Sequence, residues 1–335
     1  LTSTRIALIG CGHISQFHLR AWQQVPDAEI VGVCDVDGAK AHARANEFGV
    51  SAVFTDPDSM LAAVRPDAVD VATRPDTHLA LTQLSTRHGA HVLCQKPLAA
   101  TMEEAHAIGA AASAGGVRLM VNENWRWRTW YRLMRMAIEA GRIGTPLTAR
   151  VEYLVEGLNV RLERQPYFAT MPRLLLYEAA IHFVDCLRFL VGDVQSVYCR
   201  LRSVDDRIAG EDVVAMILTH KTTTSILETS WSSRGYPDPV TESVRIEGSA
   251  ATLSLAPDGT LSLLAGSGDA EVIAPPDPDF YLSAFVGAQR HFVDALRSGA
   301  PFETRPEDNL QTLDAVFAGY RSAATGEAVR VLARP

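Results

Sequence analysis

The chain has 335 residues, 47% of them hydrophobic and 21% charged, with a mean hydropathy of +0.03 and a formal net charge of −8. That length exceeds one comfortable core and suits two domains, while the acid balance argues against nucleic acid and anionic membranes, which need a concentrated positive field. No tract is long enough to span a bilayer, the apolar run 6–9 is too short for a signal-peptide core, and five cysteines without C-x-x-C spacing read as buried free thiols, so a cytoplasmic protein is expected.

Taken in chain order, the first 121 residues alternate β-branched apolar runs with helical patterns. The runs are RIALIG (5–10), EIVGVCD (29–35), AVDVAT (68–73), AHVLCQ (90–95) and VRLMV (117–121). Between them, segments such as ISQFHLRAWQQV, DTHLALTQLSTRHG and TMEEAHAIGAAASAG close near Gly or Pro, as helices do. The alternation predicts an α/β fold whose N-terminal part is a doubly wound parallel sheet of the Rossmann kind, over residues 1–123. From residue 124 the pattern changes. An aromatic, arginine-rich helix, a strand around LTARVEYLV and a helix from about Tyr177 to Val191 precede the strands SVYCRLRS, VVAMILTH, TTSILETSW, VTESVRIEG, ATLSLA and TLSLLA. Consecutive strands favour antiparallel pairing, so residues 124–335 are expected to form an α+β domain with a large, mostly antiparallel sheet, closed by helices near 280–298 and 307–323.

Gly10-Cys11-Gly12-His13-Ile14-Ser15 follows the first strand and opens the first helix, the context that a dinucleotide fingerprint requires. The first glycine permits the tight turn, the second lets backbone approach a pyrophosphate, and the helix N-terminus offers N–H groups to it. Ser15, at the third position, could add a hydroxyl donor. A plain glycine turn between strand and helix is the competing reading. Asp35 ends the second strand, placed either to accept hydrogen bonds from ribose hydroxyls or to cap the next helix. Val36 and Asp37 offer no positive charge for a 2′-phosphate, which favours NAD over NADP.

With that fingerprint, Asp35, Thr73-Arg74-Pro75-Asp76-Thr77-His78, Gln95-Lys96-Pro97 and Glu178-x-x-x-His182, the chain resembles the Gfo/Idh/MocA family, the glucose-fructose oxidoreductase and inositol dehydrogenase group, over essentially its whole length. The resemblance implies cofactor contacts from Gly10, Gly12, His13, Ile14, Asp35, Thr73, Arg74, His78, Gln95 and Asn124. It implies that Lys96 reaches the nicotinamide and the substrate hydroxyl, where a strand-end lysine can stabilise developing negative charge; the competing reading is a lysine in solvent. The family's usual Glu-Lys-Pro is Gln-Lys-Pro here, so Lys96 lacks the neighbouring carboxylate that would favour its ammonium form.

In the second domain the resemblance makes His182 the general acid or base, with Glu178, in place of the family's Asp, orienting it. Without it, Glu178, His182 and Asp185 would be one solvated helix face. Asn124 and Arg126 match family positions near cofactor and cleft, Trp125 or Trp127 could stack on a sugar, and Arg161, Arg164 and Tyr167 are further candidate substrate contacts. Arg126, Arg128, Arg132 and Arg135 read as pairing with surface carboxylates. No metal site is expected. The expected function is hydride transfer between NAD and a secondary hydroxyl or ketone of a sugar, cyclitol or sugar acid, by a homodimer or homotetramer associating through an uncovered sheet face. The alternatives are a non-catalytic NAD-responsive regulator and an NAD-dependent glycosidase.

Overall fold

The computed structural model describes residues 3–236, 241–266 and 269–332; Val240, which opens the expected strand VTESVRIEG, lies outside them. The first half runs β1 (Thr4–Ile9), α1 (Ser15–Trp22), β2 (Ala28–Cys34), α2 (Gly38–Phe48), β3 (Val53–Phe54), α3 (Pro57–Val64), β4 (Ala68–Val71), α4 (His78–Arg87), β5 (His91–Gln95), α5 (Met102–Ala114) and β6 (Leu119–Asn122). Its six strands are all parallel, in the order β3-β2-β1-β4-β5-β6. Every residue of β4 and β6 is buried, which is why those strands read as continuous apolar runs. The order reverses between β1 and β4, and ligands of open parallel sheets bind at the strands' carboxyl ends beside such a reversal.

Local signals set the helix starts. Asp37 accepts hydrogen bonds from the N–H groups of Ala39 and Lys40 and so caps α2. Asp56 caps α3 ahead of Pro57, and Thr101 caps α5. The capping alternative for Asp35 therefore falls, because the residue two places on does that work.

The second half continues with α6 (Thr129–Glu139), β7 (Pro146–Leu154), α7 (Leu158–Arg164), a π-helical turn (Leu176–Ala180) leading into α8 (Ile181–Val191), β8 (Ser196–Arg202), β9 (Val213–Thr219), β10 (Thr224–Ser230), β11 (Ser243–Gly248), β12 (Ala251–Leu255), β13 (Leu261–Ala265), β14 (Asp269–Ala274), α9 (Phe280–Ser298), α10 (Pro306–Thr325) and β15 (Val329–Arg330). The nine-stranded sheet has the order β14-β13-β12-β11-β7-β10-β9-β8-β15. It is antiparallel except where β7 pairs with β10. Strand β9 shows the half-buried alternation: Val214, Met216 and Leu218 are buried while Ala215, Ile217 and Thr219 are exposed.

The chain divides into two compact units, residues 1–127 with 281–310, and residues 128–280 with 311–335. This differs from a single cut after residue 123. Helix α9 explains the difference, because its Ala288, Phe292, Val293 and Ala295 share one core with Ile6, Trp22, Leu93 and Met120 of the first unit. The second unit holds a buried ion pair of its own. The Arg128 guanidinium donates to both carboxylate oxygens of Glu242 at 2.7 and 2.6 Å, and Trp130 Nε1 donates to the same carboxylate at 3.1 Å. Pairing with surface carboxylates thus describes Arg135, 2.7 Å from Glu139, but not Arg128, whose partner is buried with it.

Candidate functional site

The loop between β1 and α1 is built around Gly10. Its φ is +99°, and a Cβ there would stand 2.6 Å from the Ala72 carbonyl oxygen, so only glycine is accommodated. Gly12 differs: a Cβ at that position meets nothing within 4 Å. The second glycine therefore leaves open room beside the backbone, the space a pyrophosphate would take. Ser15 Oγ donates to the Gly12 carbonyl at 2.6 Å and accepts from Arg44 Nε at 2.9 Å, so its hydroxyl closes the loop on itself. His13 lies against Gln16 and the edge of Phe17, and Ile14, half-buried, packs on the cluster around Leu8 and Leu19.

Asp35 is half-buried at the end of β2. One carboxylate oxygen accepts the Cys11 N–H at 2.7 Å and the other the Asp37 N–H at 2.9 Å, which holds the carboxylate beside the glycine loop with lone pairs left for ribose hydroxyls. The nearby cations on α2 are engaged: Lys40 pairs with Asp37, and Arg44 with Glu47 and Ser15. After β4, Thr73 and Thr77 share a hydroxyl contact at 2.6 Å, and Arg74 is exposed with Asp76 at 3.7 Å. His78 is fully buried, its two ring nitrogens 2.9 Å from the Leu98 carbonyl and 3.2 Å from the Thr73 carbonyl, so it bolts this turn to the segment after Lys96. Asn124 is 2% exposed, and its Nδ2 meets no hydrogen-bonding acceptor among the described residues. A carboxylate held beside the glycine loop, room beside Gly12 and a buried amide donor suit NAD.

Strand β5 ends at Gln95, and Lys96 follows with a cis peptide bond to Pro97. Gln95 is buried and points inward. Its Oε1 accepts the Lys96 N–H at 2.6 Å, and its Nε2 stands 2.9 Å from His18 Nε2. His18 Nδ1 in turn lies 2.8 and 3.0 Å from the two oxygens of Asp70, which also accepts from Trp22 Nε1 at 2.7 Å. His18 and Asp70 are both fully buried. This chain of polar groups was not read from the sequence; its signal was a lone aspartate inside AVDVAT. Gln95, expected to leave Lys96 without a neighbouring carboxylate, contacts the Lys96 backbone N–H with its side chain.

A carboxyl that sequence reasoning passed over feels the charge of Lys96. Glu123, directly after β6, is 0% exposed. Burial pushes its carboxyl up to about 7, the charges of Lys96 and Arg126 draw it back down, and Asp308 opposes them. Arg126, expected at the substrate, is 4% exposed, pairs with Asp308 at 2.5 Å and donates to the Glu303 carbonyl, so it braces this cluster. Trp125 beside it is also buried.

In the second unit Glu178 lies within the π-helical turn, a geometry frequent at functional sites. His182, in the first turn of α8, is 6% exposed and Asp185 is 0% exposed. Asp185 accepts from Thr312 Oγ1 at 2.8 Å, and Thr312 accepts from Arg188. The solvated helix face is therefore not what forms; α8 is buried on all sides from Ile181 to Arg188. Arg161 donates to the Tyr153 hydroxyl at 3.1 Å and lies over the Trp231 ring, Tyr167 donates to Gln165, and Arg164 is exposed. All five cysteines are buried and free. Burial pushes the thiols of Cys11, Cys34 and Cys199 up to about 12, which removes them as nucleophiles. Among the described residues no cluster of metal-ligating side chains occurs, and no helix is long and apolar enough to cross a membrane.

Residues 4–123 match the family described as oxidoreductase family, NAD-binding Rossmann fold, and residues 131–254 match the Gfo/Idh/MocA C-terminal domain. The chain is 37% identical to a D-apiose dehydrogenase of Paraburkholderia graminis, an alignment covering 97% of this chain and 89% of that protein. It is 28% identical to an inositol 2-dehydrogenase of Rhizobium meliloti over 96% of this chain and 97% of that one. A crystal structure of an oxidoreductase from Agrobacterium radiobacter, in complex with NAD+, L-tartaric acid and magnesium, superposes with a TM-score of 0.92 at 31% identity, covering 98% of this chain and 99% of that one. On these matches and this fold, the chain belongs to the Gfo/Idh/MocA family of NAD-dependent oxidoreductases.

Proposed function

We propose that this protein oxidises a hydroxyl-bearing carbon of a small free sugar or polyol, with D-apiose the first candidate and inositols the second. The observation that carries the proposal is Lys96, held at the carboxyl end of β5 by Gln95 in a chain 37% identical to a D-apiose dehydrogenase. NAD supplies the hydride acceptor when bound. Gly10, Gly12, His13, Ile14 and the start of α1 seat its phosphates, Asp35 its ribose, and Thr73, Arg74 and Asn124 line the nicotinamide side. Lys96 donates to the substrate oxygen as negative charge develops there. His182 takes the hydroxyl proton, assisted by Glu178. Tyr167 and Arg164 contact the substrate, while Arg126, Arg161 and His78 fix the segments that carry such contacts.

The test is a purified-protein assay with NAD or NADP against D-apiose, inositols, other sugars and sugar acids, following reduced-cofactor absorbance. Turnover with NAD and D-apiose is expected. Lys96→Ala and His182→Ala should each keep NAD binding and lose a factor of about 10²–10⁴ in kcat. NAD binding without turnover across the panel would instead mark a regulator, and glycoside hydrolysis without released reduced cofactor a glycosidase. Exposed Leu147, Ile217 and Leu264 on the second unit's sheet support association into a homodimer or homotetramer, which sedimentation would refute by finding a monomer. Five buried free thiols support a cytoplasmic location, with cell fractionation as the check.

A further inference from the structure

We propose that Glu211 is a positioning residue for the proton-transfer pair: it anchors the start of the helix that carries Glu178 and His182, and so fixes where those two side chains stand. The catalytic consequence rests on the dehydrogenase reading; the anchoring does not.

The amino-acid sequence shows the need. The helix opens at Leu175, passes through the π-helical turn Leu176–Ala180 and continues as α8. A helix start leaves its first N–H groups without intrahelical acceptors, and Ser, Thr, Asp or Asn at the N-cap ordinarily supplies one. The approach here is Met171-Pro172-Arg173-Leu174, which holds none of those side chains. Leu174, Leu175 and Leu176 are all 0% exposed, so water is no substitute and an unmet N–H would be costly.

Glu211, just ahead of β9 and 35 residues along the chain from Leu176, supplies the acceptors. Its Oε1 accepts the Leu174 N–H at 3.2 Å and the Leu176 N–H at 2.9 Å, while its backbone carbonyl accepts the Leu175 N–H at 3.0 Å. Three consecutive donors of the helix start thus end on one residue. The Leu174 carbonyl then takes the first helical bond, from the Glu178 N–H at 2.7 Å. The carboxylate is held in turn, because the Tyr320 hydroxyl of α10 donates to the same Oε1 at 2.7 Å and Glu211 is buried. Burial pushes the Glu211 carboxyl up, and the hydrogen bonds from Tyr320, Leu176 and Leu174 draw it back toward the charged form, which the positive end of the helix dipole also favours.

The anchor acts on the pair through the backbone. Glu178 donates that first helical bond, and His182 lies one turn further on. An α-helix would stack residues four apart on one face; the π-helical turn that holds Glu178 alters that relation, so the aim of Glu178 toward His182 depends on where the turn begins. Glu211 sets that beginning.

The experiment compares Glu211→Ala with Glu211→Gln, which keeps an acceptor oxygen in place. It reads amide hydrogen exchange in the ligand-free protein, and kcat, KM and NAD affinity separately. In the wild type the Leu174, Leu175 and Leu176 amides should exchange as slowly as those inside α8. Glu211→Ala should lose that protection and lower kcat by roughly ten- to a hundredfold. NAD affinity should be unchanged, since the glycine loop and Asp35 belong to the first unit, and Glu211→Gln should restore most of both losses. Fast exchange at those three amides in the wild type overturns the proposal whether or not a variant folds. So does a Glu211→Ala protein with wild-type kcat, or one whose kcat and NAD-binding capacity fall in proportion, as lost folded protein alone would give. Should Glu211→Ala not fold, Tyr320→Phe removes the carboxylate's own anchor and should lower kcat severalfold at unchanged NAD affinity; a wild-type kcat there overturns the positioning role. Absence of turnover by the wild type on every sugar would sink the dehydrogenase reading, whereas the exchange measurement judges the anchoring without any substrate.

Discussion

At the scale of single residues, Gln95 illustrates how a neutral side chain can be demanded by its neighbours. Asp70 needs a donor at His18 Nδ1, which leaves Nε2 of a neutral ring as an acceptor, and the Gln95 amide donates into it while its oxygen takes the Lys96 N–H. A carboxylate at 95 would put an oxygen against that lone pair. Gln95→Glu should therefore destabilise the fold by roughly 1–3 kcal/mol in denaturant unfolding, and equal stability would refute the assignment. The sequence exposed Lys96 and the departure at Gln95, but not the direction in which Gln95 points, because Asp70, His18 and Asn122 come from three separate elements.

At the scale of elements, the two glycines of the first loop do different work. Gly10→Ala forces a side chain into φ +99° and against the Ala72 carbonyl, so it should destabilise the fold by roughly 1–3 kcal/mol in thermal or denaturant unfolding. Gly12→Ala meets open space and should leave stability within about 0.5 kcal/mol while weakening NAD binding in calorimetry. Unchanged NAD affinity in Gly12→Ala would mean that the loop is not the pyrophosphate seat. Five of the six parallel strands were legible as apolar runs, whereas β3, two residues long, carries too little pattern to show. The π-helical turn before α8 was equally invisible, since its residues Leu176–Ala180 read as an ordinary helical start.

At the scale of the whole molecule, Glu123 links folding to pH. Its ordinary value of 4.5, taken for the unfolded chain, rises to about 7 in the folded state. Below the lower value both states hold the proton and nothing is lost. Between the two values the unfolded state releases its proton while the folded state keeps it, so stability falls as pH rises and levels off above 7. The span corresponds to about 3 kcal/mol, already net of the attraction from Lys96 and Arg126. Denaturant unfolding of wild type and Glu123→Gln from pH 5 to 8 should show the wild type losing ground to the variant across that range; parallel curves would contradict the raised value.

The amino-acid sequence by itself determined the alternation of strands and helices, the glycine loop with Asp35, and Lys96 behind a buried strand, because periodicity, turn chemistry and short motifs are local. The tertiary structure alone decided that helix α9 returns to the first unit, that Arg128 is buried against Glu242, and that the Glu123 carboxyl is buried where the charges of Lys96 and Arg126 act on it. Those outcomes depend on which distant groups share a low-dielectric interior, and desolvation acts on residues that no local pattern brings together.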